Sequence, residues 1–388
     1  MAGAVATESA QKKCDSNIHK PRNPETDRLM GQTARLLLEC NFRCPFCFAA
    51  WHEEEKLPPA EVMHLVGKRW MRDISMMREH GYERITISGG EPTMHPDILK
   101  IVRHCRDVGF SSVELQTNAS LMTRKNARRL VKAGVTNALV SLHSHVPETF
   151  DRITVTEGVY DTVIDGIKHL VEFGVDTMIS HVIISWNVEE MVDFVRFCDE
   201  ELKGIREILW FSMQPEARGR HNMHLWPPLT RVREQLPAAL SECVKRGVGY
   251  RIDSQEGYPI CFFGGHEHRV DLYDITEPTE TFGDDLGVFK VIERKKVKVP
   301  ACEGCYFNRA CYGFWEGYFM LQGTEGIVPV ERTEELARLF PFLDEPNAEE
   351  RTLVPVRDLP GQAVLDVETE SSYPLPWREG RPKAQKIR

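Results

Sequence analysis

From about residue 33 to residue 211 the chain alternates strand-sized apolar runs with helical patterns, and this alternation constrains the fold most. The runs fall at 34–38, 84–88, 112–116, 138–142, 178–184 and 207–211. Each is short and bounded by turn or polar residues, as a buried strand should be. Between them apolar residues recur at helical spacing. One stripe is Val62, Val66, Trp70, Ile74 and Met77; the next is Ile98, Ile101, Val102 and Cys105. Val163, Ile167 and Leu170 form a third, and Met191, Val195 and Cys198 a fourth. Strands joined through helices pair in parallel by right-handed crossovers. The expected fold class is α/β, a partial (β/α)6 TIM-type barrel over residues 34–230. Periodicity alone leaves an open doubly wound sheet as the alternative. In both architectures ligands bind beyond the carboxyl ends of the strands, so that is where chemistry is expected.

The flanks read differently. Residues 1–33 are polar and broken by Pro21 and Pro24, and are expected to be a flexible lead-in. After Pro227 the alternation is lost. A helix around 236–245 is followed by short apolar pieces carrying Cys261, Cys302, Cys305 and Cys311, so a small second domain is expected over 240–325. Residues 330–388 form a Pro- and charge-rich tail without a sustained period. The 49 basic and 58 acidic side chains leave a net charge of −9, so nucleic acid is not an expected partner. No run approaches the ~18 apolar residues of a membrane span, so no membrane is expected either. The first residues lack an apolar export signal, and a cytoplasmic location is expected. Eleven cysteines are too few for a disulfide scaffold of this length and point instead to reduced thiols or metal ligands.

The first cysteines are clustered. The chain reads Cys40-Asn41-Phe42-Arg43-Cys44-Pro45-Phe46-Cys47 directly after the first apolar run. Three thiolates this close can converge on one centre, and soft sulfur favours iron–sulfur clusters, zinc or Cu(I). A closed structural site wants a fourth ligand, for which His52 is the local substitute. Three ligands to a four-iron cluster would leave one iron open. Further motifs sit at successive strand ends: Ser88-Gly89-Gly90-Glu91-Pro92, then Thr117-Asn118-Ala119, then Ser141-Leu142-His143-Ser144-His145. The paired glycines permit a close backbone approach to a ligand, and Glu91 offers a carboxylate to an ammonium group.

This C-x3-C-x2-C spacing, followed in order by those motifs, resembles the radical S-adenosylmethionine (SAM) superfamily over about residues 34–215. The resemblance implies a [4Fe–4S] cluster on Cys40, Cys44 and Cys47, with SAM on the open iron. It implies reductive cleavage of SAM to a 5′-deoxyadenosyl radical that takes hydrogen from an unactivated carbon. Phe46 is then expected beside the adenine, and Gly89, Gly90 and Glu91 at the SAM amino group. Thr117 and Asn118 match the family's T-N-G, with Ala119 departing from its glycine. Ser141 and His143 are expected near the ribose, and Asn187 near the ribose or methionyl part. Gln214 and Arg218 are expected to touch SAM or substrate. His145 is a candidate substrate contact or acid–base group.

The run Cys302-x2-Cys305-x5-Cys311 resembles the auxiliary-cluster region of SPASM and twitch extensions. The full SPASM pattern has a further cysteine where this chain has Trp315, so the resemblance implies one shortened, twitch-like auxiliary [4Fe–4S] cluster. Cys261 is its candidate fourth ligand; without it one iron would be open to substrate. Zinc is the alternative metal. Cys105, Cys198 and Cys243 fall on apolar helical faces and read as core. Cys243, near the domain junction, is nonetheless the candidate hydrogen donor for an epimerisation.

The function expected from the resemblance is hydrogen abstraction from a small molecule (a sugar, aminoglycoside or amino-acid-derived substrate), leading to oxidation or epimerisation. Flavodoxin or ferredoxin would supply electrons. A peptide maturase is the alternative, disfavoured because residues 1–33 look too short and polar for leader recognition. A non-catalytic iron–sulfur or zinc protein is the third reading.

Overall fold

The computed structural model describes residues 31–50, 67–253, 257–267, 270–271, 280–282, 288–290 and 296–344. The lead-in through residue 30, His52, Val62, Val66 and the tail after 344 lie outside the described residues.

Eight parallel strands form one sheet in sequential order. They are β1 (Gly31–Arg35), β2 (Arg84–Ser88), β3 (Ser112–Thr117), β4 (Asn137–Ser141), β5 (Asp176–Ile183), β6 (Glu207–Ser212), β7 (Gly249–Asp253) and the two-residue β8 (Val270–Asp271). The helices between them are α1 (Gly67–Glu79), α2 (Ile98–Asp107), α3 (Arg124–Ala133), α4 (Pro147–Thr154), α5 (Tyr160–Glu172), α6 (Met191–Glu201), α7 (Arg218–His221) and α8 (Leu229–Arg246). Strictly sequential parallel order with intervening helices is the α/β partial-barrel architecture.

The helical stripes do what their spacing predicts. Trp70, Ile74 and Met77 are buried on α1, and Ile101, Val102 and Cys105 on α2. Val163, Ile167 and Leu170 are buried on α5, and Met191, Val195 and Cys198 on α6. They pack against the outward strand residues Ile85, Ile87, Val113, Leu115, Ala138, Val140 and Ile179, all at most 1% exposed. On β2 and β3 the alternate residues face the other way and are polar. Ser88 Oγ donates to Gln116 Oε1 at 2.9 Å, and Gln116 Nε2 lies 3.4 Å from Glu114 Oε1. The amino end of the sheet is laced by Asn137, Asp176, Arg206, Glu207 and Arg251.

Two details differ from the sequence reading. The first strand is 31–35, not 34–38, so residue 31 already belongs to the sheet and 36–38 lead out of it. Its neighbour explains the shift, because Gly31 pairs with Arg84 and Arg35 with Ser88, which leaves Leu36 and Leu37 to pack at the strand end. The alternation does not stop at Pro227. Helix α8 returns to β7, which pairs in parallel with β6, so the sheet exceeds six strands and runs past residue 230. Strand β7 reads Gly-Tyr-Arg-Ile-Asp, with only Tyr250 and Ile252 facing the helices, too sparse for a hydropathic signal.

The cysteine-bearing segment folds onto the carboxyl end of β6 and the start of α8. Strand β11 (Lys296–Val297) pairs with β12 (Phe314–Trp315), and α9 (Glu316–Gln322) follows. A separate antiparallel pair joins β9 (Glu280–Phe282) and β10 (Val288–Lys290). Trp315 is 1% exposed and donates from Nε1 to Ser212 Oγ at 3.2 Å. Trp226 stacks on Tyr318 at 4.8 Å. Trp315→Ala removes a buried ring at this junction and should cost about 3–5 kcal/mol, read as a lowered denaturation midpoint.

Candidate cofactor and cluster sites

The cysteine loop leaves β1 at the carboxyl end of the sheet. Cys47 N donates to Cys44 O at 3.1 Å, making a tight turn, and Phe42 N reaches Cys40 Sγ at 3.3 Å. Phe42 anchors the loop edge-on against Phe150 of α4 at 6.0 Å. The thiols sense one another. The Cys40 thiol is pushed up to about 12, chiefly by burial and then by the charges of Glu91 and Cys47. Cys44 is pushed up further by burial, Cys47 and Cys40, with Arg218 acting against them. Buried, mutually repelling thiols ionise only around a cation, so this donor set suits a metal centre. Among the described residues no three Cys, His, Asp or Glu side chains are gathered as for a single metal ion. A four-iron cube takes its thiolates at separate corners and needs no such convergence.

The Gly89–Gly90 pair has a cause that the sequence reading did not give it. Gly90 N donates to Leu37 O at 2.7 Å, and Glu91 N to Glu39 O at 2.9 Å. A Cβ on Gly90 would sit 2.0 Å from Glu39 O, and one on Gly89, where φ is 147°, would sit 2.3 Å from Leu37 O. The glycines therefore seat the strand-exit backbone that leads into Cys40, and the space beside them is filled by the chain itself. Gly90→Ala must push that backbone away, at a cost of about 3 kcal/mol. A lower urea midpoint together with reduced iron uptake is the expected result.

Glu91 is also turned inwards. Its side chain is fully buried; Oε1 accepts from Thr93 N (3.0 Å), Thr93 Oγ1 (2.5 Å) and Thr117 Oγ1 (2.8 Å), and Oε2 accepts from Asn118 N (2.7 Å). Burial raises its pKa and these four bonds oppose the rise. Its carboxylate ties the β2 turn to the β3 turn. The free carboxylate expected for an ammonium group is not what the geometry presents.

Beyond it, Asn118 Nδ2 donates to Asn41 Oδ1 at 2.9 Å and lies 3.7 Å from Cys40 Sγ. Asn41 Nδ2 continues to Ser120 Oγ at 2.8 Å. Thus the Thr117-Asn118 turn holds the cysteine loop directly. Ala119 has φ of 57°, the left-handed region in which the family's glycine would be unstrained.

At the β4 end, the Phe46 ring meets His143 edge-on at 4.9 Å, joining two expected SAM neighbours. His143 is driven down to about 3 by burial and is neutral. Its Nδ1 accepts from Val182 N at 3.1 Å, which leaves the ring proton on Nε2. Ser141 pairs with Ser180 of β5 and is partly exposed on the inner face. Asn187 departs from expectation. It is fully buried, donates to His143 O (2.7 Å) and Val182 O (2.9 Å), and accepts from Ile184 N (2.8 Å). Its side chain braces two strand ends and both amide hydrogens are spent on backbone carbonyls.

Gln214 fits better. It is 5% exposed, and its Oε1 is buried without a hydrogen-bond partner among the described residues. A buried, unsatisfied carbonyl is costly unless a ligand answers it. Arg218, at the start of α7, reaches Cys44 O at 3.5 Å and sets a positive charge beside the cysteine loop. Asn222 Nδ2 adds a bond to Pro45 O at 3.1 Å, a contact not expected from sequence.

The two proposed catalytic residues are not brought to this centre. His145 packs against Phe194 and Phe197 of α6, at 6.3 and 5.8 Å. Cys243 is fully buried on α8, beside Cys198 of α6. Both face the helical layer, as helix periodicity alone would place Cys243. Cys105 and Cys198 are likewise buried.

The second cysteine set surrounds one pocket. Cys261, Cys302, Cys305 and Cys311 line it together with Pro259, Ile260, Lys298 and Asn308. Gly313 N donates to Cys311 Sγ at 3.3 Å and Val330 N to Cys305 Sγ at 3.4 Å. Burial pushes the Cys261 thiol up, and the charges of Cys311, Cys305 and Cys302 add to the rise.

Residues 37–198 match the family model described as Radical SAM superfamily. A probable GTP 3′,8-cyclase of Sulfurisphaera tokodaii is 28% identical over 215 residues, which is 55% of this chain and 65% of that protein. A probable GTP 3′,8-cyclase of Saccharolobus solfataricus is 31% identical over 183 residues, 47% of this chain and 56% of that one. This chain therefore spans less than two thirds of the length of these relatives. The solved structure of native anSMEcpe with bound AdoMet and Kp18Cys peptide superposes with a TM-score of 0.55 at 14% identity. It covers 81% of this chain and 98% of its own, a likeness of fold that extends past the barrel. With the cysteine loop and its braces at the strand ends, these matches establish that the chain contains a radical SAM domain across residues 37–198.

Proposed function

We propose that this chain is a radical SAM enzyme that oxidises a small, polar substrate at an unactivated C–H position, with a second cluster in the four-cysteine pocket. Cys40, Cys44 and Cys47 would hold a [4Fe–4S] cluster, and that group would supply the one-electron chemistry that releases a hydrogen-abstracting 5′-deoxyadenosyl radical from SAM. The chain's own part is to hold that centre. Asn118 and Asn41 steady the loop, Phe46 and neutral His143 form an apolar edge for an adenine, and Gln214 Oε1 offers an acceptor. Inner-face polar residues such as Ser88, Gln116, Ser141 and Ser180 suit a hydroxylated or amino-bearing substrate.

One observation carries the choice of oxidation: Cys261 joins Cys302, Cys305 and Cys311 around one pocket. Four thiolates close all corners of a cube, so an auxiliary cluster there supplies an electron acceptor rather than a substrate-binding iron. Epimerisation loses its donor candidate, because Cys243 is sealed between α6 and α8. A second reading, a nucleotide cyclase, is favoured by the sequence likeness to probable GTP 3′,8-cyclases. The peptide-maturase alternative draws on the anSMEcpe likeness, which at 14% identity concerns fold alone.

The test is anaerobic reconstitution with iron and sulfide counting, then reduction in the presence of SAM. About eight irons and 5′-deoxyadenosine release support the proposal. Zinc in the second pocket, or no 5′-deoxyadenosine, overturns it. Conversion of GTP to a cyclised nucleotide would establish the second reading instead.

A further inference from the structure

The four-cysteine pocket contains a lysine that its cysteine pattern does not call for. Lys298 is 2% exposed and lines the pocket among Cys261, Cys302, Cys305 and Cys311. An apolar wall would be the cheaper choice, since a buried ammonium is retained only where something compensates its lost hydration. Two things compensate it here. Its Nζ donates to Asn308 O, in the turn between Cys305 and Cys311. Burial pulls its pKa down, and the charges of Cys311, Cys302 and Cys305 act against that fall. Gly313 lets the two pocket walls close, because a Cβ there would lie 2.3 Å from Val297 O, next to Lys298. Outside the pocket lining a second cation stands near the remaining cysteine, with Arg233 donating to the backbone Cys261 O at 3.1 Å.

The geometry points to Lys298 as a built-in counter-charge that sets the reduction potential of the auxiliary cluster while clamping its ligand loop. This rests on the proposed function. A cube held by four thiolates is formally a dianion when oxidised and a trianion when reduced. A fixed positive charge in a dry pocket favours the more negative form, and so raises the potential. Without Lys298 the reduced state keeps Arg233 and the N–H groups of Gly313 and Val330 but loses the ammonium inside the pocket. Lys298 is a positioning and tuning residue; it need touch neither substrate nor SAM.

The experiment is a redox titration of reconstituted full-length protein, followed by electron paramagnetic resonance, for wild type, Lys298→Met and Lys298→Arg. In Lys298→Met the second cluster should become about tenfold harder to reduce at a given potential, about 59 mV lower for one electron. The first cluster should stay unmoved, and Lys298→Arg should lie near wild type. Loss of the second cluster's iron in Lys298→Met, with retention in Lys298→Arg, supports the same inference through loading. An unmoved potential in a fully loaded Lys298→Met overturns it, as does equal loss of iron in both variants. If wild type itself holds about four irons and still cleaves SAM, the auxiliary-cluster reading falls and takes this inference with it. A wild-type protein with both clusters and an unaltered Lys298→Met potential removes the inference alone.

Discussion

Cys40→Ala is expected to reduce SAM cleavage to the rate without enzyme. Its thiol sits within reach of Asn118 Nδ2 at the base of the loop, and removing it leaves two thiolates where a cube needs three. The fold should survive. The loop keeps its other holds, Phe42 against Phe150 and Asn41 on Ser120. Chromatographic assay of 5′-deoxyadenosine after chemical reduction reads the loss. The iron content should fall to about half, because the second pocket keeps its own ligands. A variant that still releases 5′-deoxyadenosine would show that the first cysteine trio is not the reactive centre.

Cys305→Ala should have the opposite signature. SAM cleavage continues, since nothing in the first loop has changed, while formation of the oxidised product falls to background. Cys261→Ala is the sharper comparison, because only a four-thiolate pocket makes Cys261 equivalent to the three cysteines far along the chain. Equal uncoupling in both variants supports the closed site. Full product turnover in Cys261→Ala would leave one corner open and return substrate binding to that iron.

Much of the frame was legible in residue order. Five of the six expected runs became strands with bounds within two residues, and the stripes of α1, α2, α5 and α6 are buried as their periods require. The first strand slipped because its apolar continuation, Leu36 and Leu37, is buried at the strand end and bonds to the Ser88–Gly90 turn beyond the strand register. Strand β7 was missed because two apolar residues are no period. At the site, the cysteine trio and the turn motifs could be read from spacing, but not what each side chain faces. Glu91 and Asn187 are polar residues at strand ends, just where ligand contacts are sought. Both instead spend their hydrogen bonds on neighbouring turns, because several loops converge there and each brings buried N–H and C=O groups that must be satisfied.

Residue order alone determined that this chain would stack parallel βα units and carry two sets of soft ligands. Both follow from local rules, namely hydropathic period and the chemistry of sulfur. Only the tertiary structure decided that Cys261 shares a pocket with cysteines about forty residues away. Only it drove Lys298 into that pocket and turned Glu91 and Asn187 onto neighbouring turns. Those outcomes depend on which distant surfaces meet, and a side chain's partners are set by the packing of whole elements rather than by its neighbours in sequence.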